Sequence, residues 1–223
     1  MNEPLRFYFD FISPYAYLAW KRIGAIAKAA NRELEPIPIL FAGLLNHHGQ
    51  KGPAEIPAKR VYTFKNVVRL AHFAKIPLVA PPAHPFNPLL ALRAASVDLG
   101  PAERVLLIDT LYDLIWGTSN VEGARGVTDP AVVTAALDRA GLDGSAIVTA
   151  SATQAIKDRV RERTDEAIAR GIFGVPTTLV DGELFWGVDS LPHLEAHLRG
   201  EDPAAGDLRV VFGDVPVGTE RKR

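Results

Sequence analysis

The sequence predicts an α/β protein: one small mixed-sheet domain interrupted by a helical block. Three observations carry this reading. The chain opens β-α-β, with an aromatic alternation at 5–11, a helical stripe, and a second strand at 34–41. From residue 43 to about 171 the apolar spacing is helical, broken by short loops. The chain then closes β-β-α, with two short strands joined by Asp181-Gly182 and a final helix.

Each element has a local cause. Leu5 to Phe11 alternates and is rich in aromatics, which suits a pleated, half-buried surface. Ser13-Pro14 is a helix start, Ser as N-cap and Pro at the first helical position. Apolar residues then recur at Ala16, Ala19, Trp20, Ile23, Ile26, Ala27 and Ala30. In the second strand Pro36 and Pro38 share one face, which predicts an edge position. Pro57 opens a helix with Val61, Phe64, Val68 and Ala71 on its apolar face. Pro77, Pro81, Pro82, Pro85 and Pro88 hold a loop extended. Helical stretches resume at 88–99 and 101–116, and the second is apolar nearly all round, so it is expected to be buried. Asp129-Pro130 to Ala140-Gly141 carries its own start and stop. The last helix of the block spans 153–170, the hairpin strands span 177–180 and 183–186, and the closing helix spans 190–198. The expected division is 1–42 with 172–200 as a discontinuous sheet domain, 43–171 as the inserted helical domain, and 201–223 as a C-terminal tail.

Composition narrows the function. Among 223 residues, 48% are hydrophobic and 23% charged, which is ordinary globular composition and excludes disorder. The net charge of −1 argues against a general nucleic-acid binder. No apolar run approaches the ~20 residues of a membrane span, and no secretory signal pattern precedes the first strand, so a cytoplasmic location is expected. There is no cysteine. That removes disulfides, thiolate metal sites and a cysteine nucleophile together, so any thiol chemistry must use a thiol from outside.

Ser13 stands between a strand and the amino end of a helix, where free N–H groups and the helix dipole favour an anion such as a thiolate. The alternative is that Ser13 is simply an N-cap. The stretch from Gly43 to Lys75 holds Lys51, Lys59, Arg60, Lys65, Arg69 and Lys75 against Glu55 alone, a local net of +5. Lys59 and Arg60 lie in a first helical turn, where cations oppose the dipole by roughly 0.3–1 kcal/mol. A bound carboxylate would offset that cost; a solvated basic face is the alternative. His47 and His48 lie in this stretch and could orient an anionic substrate. His193 and His197 are four apart on a helix but have no third ligand in sequence reach, so no metal site is expected. Asp109 and Asp113 share a helix face and read as its solvated side.

The run FYFDFISPYAYLAW resembles the opening of the 2-hydroxychromene-2-carboxylate isomerases and the related kappa-class glutathione transferases. The stretches HHGQKGPAEIPAKRVYTFKNVVRLA, GIFGVPT and FWGVDSL follow in the family's order. The resemblance implies a thioredoxin-like fold with an inserted helical domain, the order of elements already read. Redox relatives carry C-x-x-C where this chain has Ser13-Pro14-Tyr15-Ala16, which excludes redox exchange. It implies glutathione as cofactor, with Ser13 catalytic through a hydrogen bond to the sulfur. Val175 and Pro176 would form a cis-proline turn whose backbone pairs with the tripeptide. Gln50 and Lys59 would contact glutathione, and Asp189-Ser190 would grip its γ-glutamyl group; a bare strand-entry turn is the local alternative for Val175-Pro176, and plain helix capping for Asp189-Ser190. Gln50 stands where the kappa pattern has Asn, Asn66 where it has Asp, and Ser190 where it has Arg. The implied reaction interconverts 2-hydroxychromene-2-carboxylate and trans-o-hydroxybenzylidenepyruvate by thiolate addition, bond rotation and elimination, in a homodimer acting on a small anionic substrate. A kappa-like transferase and a non-catalytic peptide-binding module are the competing readings.

Overall fold

The computed structural model describes residues 3–118 and 126–205, together with Gly218. Most of the expected tail at 206–223 therefore lies outside the described residues. Four strands, β1 (Leu5–Phe9), β2 (Leu34–Pro38), β3 (Thr177–Val180) and β4 (Glu183–Trp186), form one sheet in the order β2-β1-β3-β4. β1 runs parallel to β2 and antiparallel to β3, and β4 is antiparallel to β3. β2 is an edge, as its two prolines require, and Phe7 and Phe9 stand opposite Pro36 and Pro38. The β3–β4 turn places Asp181 at φ 51° and Gly182 at φ 84°, the paired positive values of a tight I′ hairpin.

The alternation of β1 sorts side chains onto two layers. Leu5, Phe7, Phe9 and Phe11 are fully buried against α1 (Pro14–Ala29) and the helical block. Tyr8 points to the opposite face, with Ile39, Leu44, Ala167, Ile172, Val175 and Leu179. The closing helix α9 (Leu191–Leu198), after a short 3-10 turn at Val188–Ser190, packs beside α1 on the first face.

Between β2 and β3 lie α2 (Phe41–His48), a 3-10 turn (Pro53–Glu55), α3 (Pro57–Ala74), α4 (Leu89–Ala94), α5 (Pro101–Ile115), α6 (Pro130–Arg139), α7 (Gly144–Ser151) and α8 (Gln154–Ala169). The periodicity did not separate α2 and α7, because eight residues give barely two turns of pattern. Two expectations about burial are corrected. On α3 the buried residues are Val67 and Ala71, while Val61 and Val68 are more than half exposed. The true inward stripe is Phe64–Val67–Ala71, turned away from the predicted one by packing on α1. On α5 the buried side is Leu107, Ile108, Leu111, Tyr112, Leu114 and Ile115, but Val105 and Leu106 stay about 40% exposed. α8 covers the second face of the sheet through Ala167 and Ile168, so the block's last helix is also a sheet layer.

Candidate active site

Register places Ser13, the Val175–Pro176 turn and Asp189-Ser190 around one end of the sheet. Tyr8 pairs with Thr177, so the Val175–Pro176 turn lies beside the end of β1 that leads into Ser13. Thr177 pairs with Trp186, which brings Gly187–Ser190 to the same end. The end of β2 arrives there too, with the Ile39 amide donating to the Phe9 carbonyl at 3.0 Å.

Ser13 is the N-cap of α1. Its Oγ accepts from the Ala16 amide at 3.2 Å, and the residue is 8% exposed. Among the described residues its own O–H has no acceptor within the chain. The hydroxyl can thus cap the helix and still donate to a ligand. Tyr15, two residues on, accepts a hydrogen bond at 3.1 Å from Asn66 of α3, tying that helix to the start of α1.

The Val175–Pro176 bond is cis. Among the described residues, the Val175 amide and carbonyl pair with no other group of the chain, whereas the Pro176 carbonyl accepts from the Gly187 amide at 2.9 Å. An extended peptide backbone is the complement to such a pair of free groups. Gly174 is pinned beside Trp186, whose Nε1 would lie 2.5 Å from any added Cβ.

The remaining candidates are surface groups. Lys59 is exposed in the first turn of α3, and Gln50 is exposed just past the left-handed Gly49 that ends α2. Lys51 and Lys59 enter no ion pair among the described residues. Asp189 is exposed; the Ser190 hydroxyl donates to the Gly187 carbonyl at 2.7 Å and gives α9 no side-chain cap. With that proton donated to Gly187, the Ser190 hydroxyl offers its oxygen as an acceptor, not the donor expected from the sequence.

Other groups singled out in the sequence are engaged elsewhere. Asp109 and Asp113 both pair with Lys21, at 3.1 and 3.0 Å, and the Trp20 indole donates to Asp109. His197 Nδ1 lies 3.0 Å from Asp202, and among the described residues no three metal-ligating side chains cluster. The rings of His47 and His48 meet edge-on at 4.9 Å at the end of α2.

Three residues that sequence reasoning missed hold the turn before Ser13. Asp10 is fully buried; its carboxylate accepts from the Ile12 amide at 3.1 Å and from the Phe41 amide, at the start of α2, at 2.9 Å. Burial pushes its carboxyl up to about 7, against the two amide donors that favour the anion. The Trp116 indole donates to the Phe11 carbonyl at 2.9 Å, and His84 Nε2 lies 3.0 Å from the Ile12 carbonyl. The one available signal was Asp10 itself, an acid inside the aromatic run FYFDF.

A serine-bearing helix end beside a cis-proline turn defines the class, and comparison with known proteins agrees. Residues 4–199 match the DSBA-like thioredoxin domain family. The chain is 30% identical over 199 residues to the 2-hydroxychromene-2-carboxylate isomerase of Pseudomonas sp. (strain C18), covering 87% of this chain and 89% of that protein. It is 27% identical to human glutathione S-transferase kappa 1, over 90% and 92% of the two chains. A solved 2-hydroxychromene-2-carboxylate isomerase superposes with a TM-score of 0.79 at 26% identity, covering 88% of this chain and 94% of that one. The chain therefore belongs to the DSBA-like thioredoxin domains and, within them, to the 2-hydroxychromene-2-carboxylate isomerase family.

Proposed function

We propose that this chain is a glutathione-dependent cis–trans isomerase interconverting 2-hydroxychromene-2-carboxylate and trans-o-hydroxybenzylidenepyruvate, a step of aromatic hydrocarbon catabolism. The observation that carries the reading is the Ser13 hydroxyl, held at the amino end of α1 with its proton uncommitted. The residues present fit glutathione. The unpaired Val175 backbone suits an extended tripeptide, and Lys59 with Gln50 and Asp189 supplies polar groups for its termini. When bound, glutathione would supply the nucleophilic thiolate that the cysteine-free chain lacks.

The chain's own residues do the rest. Ser13 donates to the sulfur and favours the anion, as do the helix dipole and first-turn amides of α1. Val175 aligns the ligand backbone beside Pro176. The exposed cations of α3 offer a favourable field for the oxo-acid carboxylate. A requirement for reduced thiol fits a cytoplasmic enzyme.

The test is calorimetry with reduced glutathione combined with turnover of hydroxychromene substrate. Ser13→Ala should slow turnover by ~10²-fold, the loss typical of one donor to a developing anion. Lys59→Ala should weaken glutathione binding by roughly 5-fold, the scale of an exposed ion pair. An unchanged rate in Ser13→Ala overturns the serine assignment, and no binding at millimolar glutathione overturns the cofactor. The kinship with kappa-class proteins favours one second reading, a transferase. It is distinguished by stoichiometric loss of glutathione, which an isomerase leaves constant. We also propose that the chain acts as a homodimer; light scattering should give about twice its 24.2 kDa mass, and a monomer at working concentration would refute it.

A further inference from the structure

We infer that His84 is a positioning residue for the Ser13 turn, clamping it from the helical block; this rests on the reading of Ser13 given above. Ile12, immediately before Ser13, is held at both ends: its amide donates to Asp10 and its carbonyl lies 3.0 Å from His84 Nε2. A carbonyl can only accept, so Nε2 carries the proton and neutral His84 is fixed as that tautomer. The other nitrogen, Nδ1, is buried and without a partner among the described residues.

The ring is held in place from several sides. Phe64 of α3 meets it edge-on at 5.2 Å, Phe86 at 6.2 Å, and Trp116 at 5.7 Å. Trp116 in turn holds the neighbouring Phe11 carbonyl. Two successive carbonyls of the turn are thus fixed by two touching rings from outside the sheet. Arg60 donates to the His84 carbonyl at 3.0 Å and lies over the Phe64 ring. His84 therefore links the first turn of α3, which also carries Lys59, to the turn that carries Ser13.

The Ile12 carbonyl, as an acceptor, favours a proton on the ring, but a second proton would sit on Nδ1, which has no acceptor among the described residues. Burial outweighs the carbonyl and the Arg60 charge adds to burial, so the imidazole is held below its ordinary value. Of the side chains packed on it, Arg60 carries the charge; Asp10 faces the far end of the Ile12 peptide.

The test compares His84→Ala with His84→Gln, which keeps an N–H donor. Hydrogen exchange of the full-length protein without ligand reads the clamp directly. In His84→Ala the Ser13 amide, which donates to the Asp10 carbonyl at 3.1 Å, should exchange at least tenfold faster, and His84→Gln should restore much of its protection. With reduced glutathione and hydroxychromene substrate, His84→Ala should lose about tenfold in kcat with KM within twofold, and His84→Gln should recover. Unchanged Ser13 exchange in His84→Ala overturns the inference, and so does equal failure of both variants, since a general packing defect is not rescued by a donor. Exchange data need no cofactor, so a failed glutathione reading leaves this test standing.

Discussion

Asp10 sits where two requirements conflict. Two amides, from Ile12 and from the uncapped start of α2, call for an acceptor, while complete burial opposes a charge. Burial prevails, raising the carboxyl from 3.8 to about 7. With the folded value above the unfolded one, the folded state binds more protons between these limits. Stability from this group is therefore complete below pH 4 and is lost as pH rises toward 7, by up to about 1.4 kcal/mol per unit. His84 acts in the opposite sense: its lowered value costs stability as pH falls below 6.5. Asp10→Asn isolates the first effect. Relative to the variant, the wild type should lose stability in urea titrations between pH 4 and 7, and a constant difference would show that Asp10 is charged throughout. Asp10 left a trace in the sequence, an acid inside FYFDF, but neither role was legible beforehand, because each depends on a partner distant in the chain: Phe41 for Asp10, and for His84 a carbonyl 72 residues away.

At the scale of elements, the local code read well wherever a side chain acts on its own backbone. Ser13, Asp129 and the Asp181-Gly182 turn all sit as written. Gly182 gives a test. A Cβ there would touch nothing within 4 Å, so Gly182→Ala meets only the penalty of a positive φ, 84°. It should lower stability by about 1 kcal/mol, read as an earlier urea midpoint at constant slope. Elements failed to read where the pattern was short or the packing chose the face. The inward stripe of α3 is Phe64–Val67–Ala71, although Val61 and Val68 are as apolar by type. Only the position of α1 decides which set is covered.

For the whole molecule, the inserted block is a structural partner of the sheet as well as an insertion. Its helices share one apolar core with α1 and the inner face of β1, and its last helix covers the other face. Trp116 and His84 carry that dependence to the start of α1 by holding the turn before Ser13. By itself the sequence determined the β-α-β opening and β-β-α close around a helical block, the cysteine-free chemistry, the helix start at Ser13 and the hairpin, because each depends on residues near one another in the chain. Only the tertiary structure decided which helix faces lie inward, that the Ser190 proton is committed to Gly187, and that Asp10, His84 and Trp116 hold the turn before Ser13. Those outcomes depend on groups far apart in sequence, and burial and pairing exist only once the chain has brought them together.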